Sequence, residues 1–490
     1  MKKLNHLISI FLIYVVNMKR IRTLLRLLKM GGGVPILIFL FSFPTYSRAS
    51  NLKITGGAAS ATTTTMDISF SVSQENTLST FSAIGTPEEV KDCVWVFVKY
   101  STNGVGGPWL HCKVSTVSAG GATSATMLGS TDKLGVFLYA NKNNSYWSSD
   151  NVKLRWTVAD NGLSVIPSSV TFRVMGIEFA YISTGSFVYN VANLGGTTFN
   201  NYPGSAGPVT VSSIEHFPVG ASNTWPNGYR AFYVGKYELS QKQYADFLNT
   251  VDPAGSSAAL YYDSTLYNTW EYYIQRDVSR PVGDRYYVQL GRDTLGCNYL
   301  SWADMTAYLS WAGLRPMTEM EYERAARGRG DSRVYPWGDT DPTGGTVETK
   351  SGTSYDCFLY YANWYDTVNN IQGQDGPTPV GHYLSGLNIS GGTQARTNAQ
   401  TGASQYGISD LSGCNWEHMI NCNSTTTPLN GDGTLTPPAS WPGALVDKKG
   451  IRGGDWNDAA TGLRVSDRTL ASWSSTSRYS NVGFRPARTP

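Results

Sequence analysis

Charge is scarce in this chain. Asp, Glu, Lys and Arg make up 15% of its 490 residues, against roughly 25% in ordinary soluble proteins. The formal net charge is only +3, and beyond the N-terminal segment no Lys/Arg stripe marks one face of the sequence. That excludes the electrostatic footprint of a nucleic-acid binder. Histidine is rarer still: His6, His111, His216, His382 and His418 are the whole complement, and no two are close enough to make a local ligand pair. The six cysteines never fall at C-x-x-C spacing, which removes the usual zinc and redox motifs. No apolar run reaches the roughly 20 residues that a membrane-spanning helix needs.

Apolar side chains, glycine and neutral polar residues fill the space. Hydrophobic residues make up 41% and aromatics 12%, with 51 glycines, so the chain can bury a sizeable core while its surface rests on Ser, Thr, Asn, Gln and Tyr. That profile suits an exported, loop-rich protein of two or three domains. The N-terminus agrees. A basic stretch (Lys19, Arg20, Arg22, Arg26, Lys29) precedes the apolar run Val34 to Phe43, and Ser47-Arg48-Ala49 places small residues for a cut after Ala49. Residues 1–49 therefore read as a signal peptide, with Met18 as an alternative start and an uncleaved anchor as the competing reading. Localisation is expected to be secreted, periplasmic or cell-surface, with no transmembrane span after cleavage.

Residues 50–174 read as a β-sandwich. Met66 to Val72 alternates apolar and polar with period two, and Val94-Trp95-Val96-Phe97-Val98 is the continuous apolar run of a sandwich core. Asn103-Gly104 and Gly106-Gly107 punctuate a hairpin leading to Trp109. Cys93 and Cys112 flank that turn and are candidates for a disulfide. Cys297, Cys357, Cys414 and Cys422 allow three pairings, or none if they are buried thiols. From about residue 175 the character changes. Ser240, Ser301 and Thr318 each precede a helical pattern as an N-cap, and Glu323 and Arg327 form an i,i+4 pair. The fold class is α+β: a sandwich over 50–174, then a loop-rich domain with short helices over 175–490.

That second region resembles the formylglycine-generating, sulfatase-modifying-factor family, which has a variant of the C-type-lectin fold. The resemblance runs in order through Gly176-Ile177-Glu178-Phe179, Trp311 to Glu319, Glu321 to Gly328, Tyr335-Pro336-Trp337-Gly338, Arg452-Gly453-Gly454-Asp455-Trp456 and Asn481 to Arg485. Active members use copper and oxygen, with two thiolates holding the soft metal. Those cysteines lie six and eleven residues after the arginine of the Arg-Gly-Gly motif, and here the positions are Asp458 and Leu463. Copper is therefore not expected, nor is the sulfatase-modifying reaction. The related iron-dependent sulfoxide synthases need a histidine-rich companion domain that five histidines do not supply. The resemblance also implies structural calcium, with Asn363 and Asp375 matching one site and Glu417 another. Cys414 departs from the asparagine usual at the second. For Asp375 the competing reading is a turn, and for Glu417 a buried salt bridge. Arg315, Arg324, Trp337, Arg452 and Arg485 are expected chiefly to hold loops against the core.

The segment between the Arg-Gly-Gly motif and Gly483 lines the family's substrate groove. Here it carries Trp456, Asn457, Asp458, Asp467, Arg468, Trp473, Ser475, Arg478 and Tyr479, rigid aromatics beside short polar groups, as in a paratope. The leading reading is a non-catalytic exported binding protein with a protein or glycan ligand. Two alternatives remain open: a divergent oxidoreductase of the formylglycine-generating type, and a variable receptor diversified by a retroelement.

Overall fold

The computed structural model describes residues 52–189, 209–329, 333–339, 376–381 and 402–490, apart from breaks at 78–80, 84–85, 89, 121–124, 140–143, 257–260 and 445–446, together with four two-residue strands between 347 and 372. Residues 1–51, where the signal peptide is expected, and Cys357, Asn363 and Asp375 lie outside the described residues. No helix among the described residues is long and apolar enough to cross a membrane.

The first strands are Lys53–Ala61 (β1), Thr65–Thr77 (β2), Val90–Ser101 (β3), Leu110–Cys112 (β4), Val114–Ser118 (β5), Thr126–Gly129 (β6), Val136–Tyr139 (β7), Asn144–Thr157 (β8) and Thr171–Ile182 (β9). One sheet has the order β1-β2-β8-β5. The other is centred on β3 and β9, antiparallel over their whole length from Thr171↔Ser101 to Ile182↔Val90. These two strands are covered on both faces. Cys93, Trp95 and Phe97, with Met175, Ile177 and Phe179, share a core with Tyr244, Phe247, Met305 and Tyr308 of the later helices. On the opposite face, Tyr100 and Phe172 meet the Trp156 ring of β8 at 4.7 and 5.6 Å. A Cβ at Gly176 would come within 2.3 Å of Ile54 on β1, so glycine there sets how closely the smaller sheet sits. Burial on both faces is the reason β3 reads as an unbroken apolar run.

The rest of the chain adds Phe232–Gly235 (β10), Gln241–Val251 (α1), Trp302–Trp311 (α2), Arg315–Pro316 (β11), Glu319–Arg327 (α3), Trp416–Ile420 (β12), Lys449–Arg452 (β13), Val482–Gly483 (β14) and Pro486–Arg488 (β15). Three of these strands extend the central sheet, giving the order β11-β15-β10-β9-β3-β7-β6, with β4 also on β3. The boundary expected at 174/175 therefore falls inside β9, and the sandwich and the C-terminal region share one sheet. The change of character at Gly176 marks a change in what covers the sheet. The chain does not leave it.

All three helices start as their caps dictate. Ser240 with Gln243, Ser301 with Asp304 and Thr318 with Glu321 each form a reciprocal capping box. The disulfide expectation at Cys93 and Cys112 is corrected: Cys112 faces Val98, whereas Cys93 faces Tyr139. Five residues along a strand is about 16 Å, beyond any disulfide. Both are buried free thiols, as are Cys297, Cys414 and Cys422.

Candidate functional site

A small sheet, β13-β12-β14, carries the C-terminal segment: β12 pairs antiparallel with β13 and parallel with β14. Residues 453–481 loop out between β13 and β14, and side-chain hydrogen bonds fix their course. Asp455 accepts from the Asn457 amide at 2.7 Å and from the Asn481 side chain. Asp458 accepts from the Asp455 amide at 2.9 Å. Burial, then the neighbouring Asp455 charge, raises the Asp458 carboxyl to about 7. The Trp456 amide donates to the Cys414 carbonyl at 3.1 Å, and its buried indole stacks on Trp270 with ring centres 5.0 Å apart.

Trp270 belongs to a different part of the chain, and no sequence signal marked it. It is 49% exposed although its backbone is held at φ +45°, between Asn268 at +60° and Glu271 at +61°. Positive φ is costly for a bulky residue and persists where the surroundings enforce it. Here Asn298 enforces it, its side-chain amide donating to the Trp270 carbonyl at 2.7 Å and to the Ser480 carbonyl at 2.8 Å. Gly376 lies against the same carbonyl, where a Cβ would approach to 2.6 Å. The turn and the C-terminal segment are thus tied into one surface. Tyr479, 41% exposed, extends it, packing on Trp473 at 5.1 Å and receiving a hydrogen bond from Ser475 at 3.1 Å. Arg478 sits at the edge, bidentate to Asp304 with both contacts at 2.8 Å.

Two residues expected on this surface are elsewhere. Arg468 is buried, 3.3 Å from Glu323 and 3.9 Å from Glu319, because α3 carries buried glutamates that need a cation. Asp467 is turned inward, its carboxylate accepting from the amide and hydroxyl of Thr469. Asn457, Trp473, Ser475, Arg478 and Tyr479 reach the surface to varying degrees, Asp458 is partly covered, and Trp456 lies just beneath.

Glu417 takes its competing reading. Its two oxygens accept from the Arg485 guanidinium at 2.7, 3.1 and 3.2 Å, the buried salt bridge expected as the alternative to a calcium ligand there. Among the described residues no group of three or more His, Cys, Asp or Glu side chains could hold a metal ion. The expected loop-holding arginines do hold loops. Arg324 donates to the carbonyls of Gly228 and Ser183 at 2.6 Å, and Arg452 to that of Val465 at 2.6 Å.

An α+β protein is thus defined, in which the exposed Trp270 packs on the buried Trp456 of the C-terminal loop, and Asp458 and Leu463 supply no thiolate pair. The chain belongs to the sulfatase-modifying factor enzyme 1-like domain family, whose model matches residues 191–490. It is 47% identical over 66 residues to a formylglycine-generating enzyme of Streptomyces coelicolor, covering 14% of this chain and 21% of that protein. It is 29% identical over 192 residues to the inactive C-alpha-formylglycine-generating enzyme 2 of Mus musculus, covering 39% of this chain and 47% of that one. The chain thus spans less than half the length of these relatives. Among solved structures, Treponema denticola variable protein 1 aligns over 64% of this chain and 96% of that one at 15% identity, with a TM-score of 0.29.

Proposed function

We propose that this chain is an exported, non-catalytic binding protein whose contact surface is the patch formed by Trp270, Tyr479 and the polar residues around them. The observation that carries the reading is Trp270: a large aromatic half-exposed on a backbone of unfavourable φ, clamped against Trp456. Aromatic side chains that are rigid before contact lose little entropy on binding and dominate interface energetics. Two further points support it. Asp458 and Leu463 stand where the resemblance places the copper thiolates, and Leu463 is fully buried. A relative of the same family carries the word inactive in its name. Export rests on the basic and apolar N-terminal segment.

A glycan array and a displayed random-peptide library supply the probes. Binders selected on the purified chain should weaken about tenfold or more on Trp270→Ala and on Tyr479→Ala. Tyr479→Ala should leave the thermal midpoint nearly unmoved, since that ring is exposed. Binders indifferent to both substitutions would remove the reading. A second reading, divergent catalysis, is favoured by Asp458, whose carboxyl at about 7 suits general acid–base work. Formylglycine produced from a cysteine-containing sulfatase peptide with copper and oxygen would establish the family's reaction instead.

A further inference from the structure

Away from that surface, a cavity of about 610 Å³ opens where β3 and β4, the end of α1 and the loop at residues 432–435 meet. Its size falls within the range of small-molecule sites. Tyr100, Trp109, Leu134, Val251, Pro253 and Trp311 supply apolar and aromatic wall. The wall is held rigidly. Lys99, buried behind it, donates to the carbonyls of Trp311 and Gly433 at 2.6 and 2.9 Å and lies 3.0 Å from His111 Nδ1. Burial, then Lys99, lowers His111 to about 3, so its ring is neutral and its Nε2–H faces the Leu134 carbonyl at 2.6 Å.

The polar side chains lining the cavity have mostly spent their hydrogen bonds inside the protein. Asn161 accepts from Trp156 and the Lys113 amide and donates to the His111 carbonyl. The Thr250 hydroxyl donates to Phe247, and that of Thr434 to Asp432. The indole N–H groups of Trp109 and Trp311, also in the lining, have no hydrogen-bond partner among the described residues. The unspent groups of the wall are therefore donors, which suit an acceptor such as a carboxylate better than a ligand rich in hydroxyls. Lys113, a half-buried residue of the lining, has no carboxylate partner among the described residues. Asp432 also lines the cavity but is exposed, so water and salt screen its charge more than that of Lys113. Leu110 and Leu435, 50% and 37% exposed, complete an apolar entrance.

We propose that this cavity binds a small carboxylate with a flat aromatic body, its carboxylate paired with Lys113. Indole-3-acetate, its neutral analogue indole-3-acetamide, and methyl glucoside serve as probes of the full chain, by saturation-transfer NMR and calorimetry. Indole-3-acetate should bind, the amide should bind about tenfold more weakly, and Lys113→Gln should reduce the acid to the level of the amide, as loss of one charged hydrogen bond requires. Leu435→Trp, at the entrance, should weaken acid and amide together. Lys113 is solvent-reachable and its backbone is fixed through Asn161, so Lys113→Gln should fold normally. No binding of indole-3-acetate, equal binding of acid and amide, preference for methyl glucoside, or indifference to Lys113→Gln would each overturn the proposal. Trp270→Ala should leave this binding unchanged, which separates its failure from that of the aromatic surface.

Discussion

Replacing Arg485 by methionine should lower the unfolding free energy by about 3–5 kcal/mol, the cost of stripping a buried carboxylate of its partner. Arg485 is fully buried and donates to Glu417, to the Gly235 carbonyl at 2.9 Å and to the Ser409 carbonyl at 2.7 Å. Glu417 is not the only acid it serves. Burial, then the charges of Glu417 and Asp410, raises Glu238 well above its ordinary range, and burial lifts Asp410 to about 6. The guanidinium opposes every one of these shifts. Methionine fills the volume but leaves three buried carboxyls without a cation and two carbonyls without a donor. Chemical denaturation measures the loss. Adding Glu417→Gln should recover part of it, because the uncompensated charge and not the missing contact is the main penalty. A loss below about 1 kcal/mol, the range of an exposed pair, would mean that water reaches this site.

The parts of the fold that the sequence displayed were those set by local chemistry. Each helix announces itself through a cap and its third residue, and such boxes form wherever the flanking chain permits. Arg315, Arg324, Arg452 and Arg485 were readable as loop anchors, since a guanidinium presents several donors to carbonyls that would otherwise be orphaned. What stayed hidden were long-range pairings. Nothing in Phe232–Gly235 says that it pairs with β9, so the sandwich read as a separate domain. The offset between Cys93 and Cys112 depends on which residue faces Val98 across the hairpin. Arg468 read as surface because its partners, Glu319 and Glu323, lie well over a hundred residues earlier. Trp270 carried no sequence signal: its turn is held by the side chain of Asn298, which nothing in the local sequence around the tryptophan would single out.

The seam between the two halves gives the second large effect. Glu178 lies on β9, 3% exposed, and burial followed by the charge of Asp92 raises its carboxyl to about 8, against the opposing pull of Lys236. Lys236 itself is spent on an ion pair with Asp92, and one Glu178 oxygen has no hydrogen-bond partner. The folded chain therefore keeps this carboxyl protonated at neutral pH, while the unfolded chain ionises it near its ordinary value of 4.5. Between those two values the native state binds more protons, so this group's contribution to stability falls as pH rises, by about 1.4 kcal/mol per unit, and levels off above the folded value. Glu178→Gln does not titrate. Its stability relative to the parent should climb from pH 5 to pH 8, by a total on the order of 4 kcal/mol, and then stay constant. Urea midpoints at unit steps of pH measure the difference directly. Parallel curves would mean that the carboxyl reaches water, and hence that the β1-β2-β8-β5 sheet stands off β9. The predicted divergence would instead mean a dry seam, with the sandwich and the family domain folding as one body and the Trp270 surface supported by the whole of it.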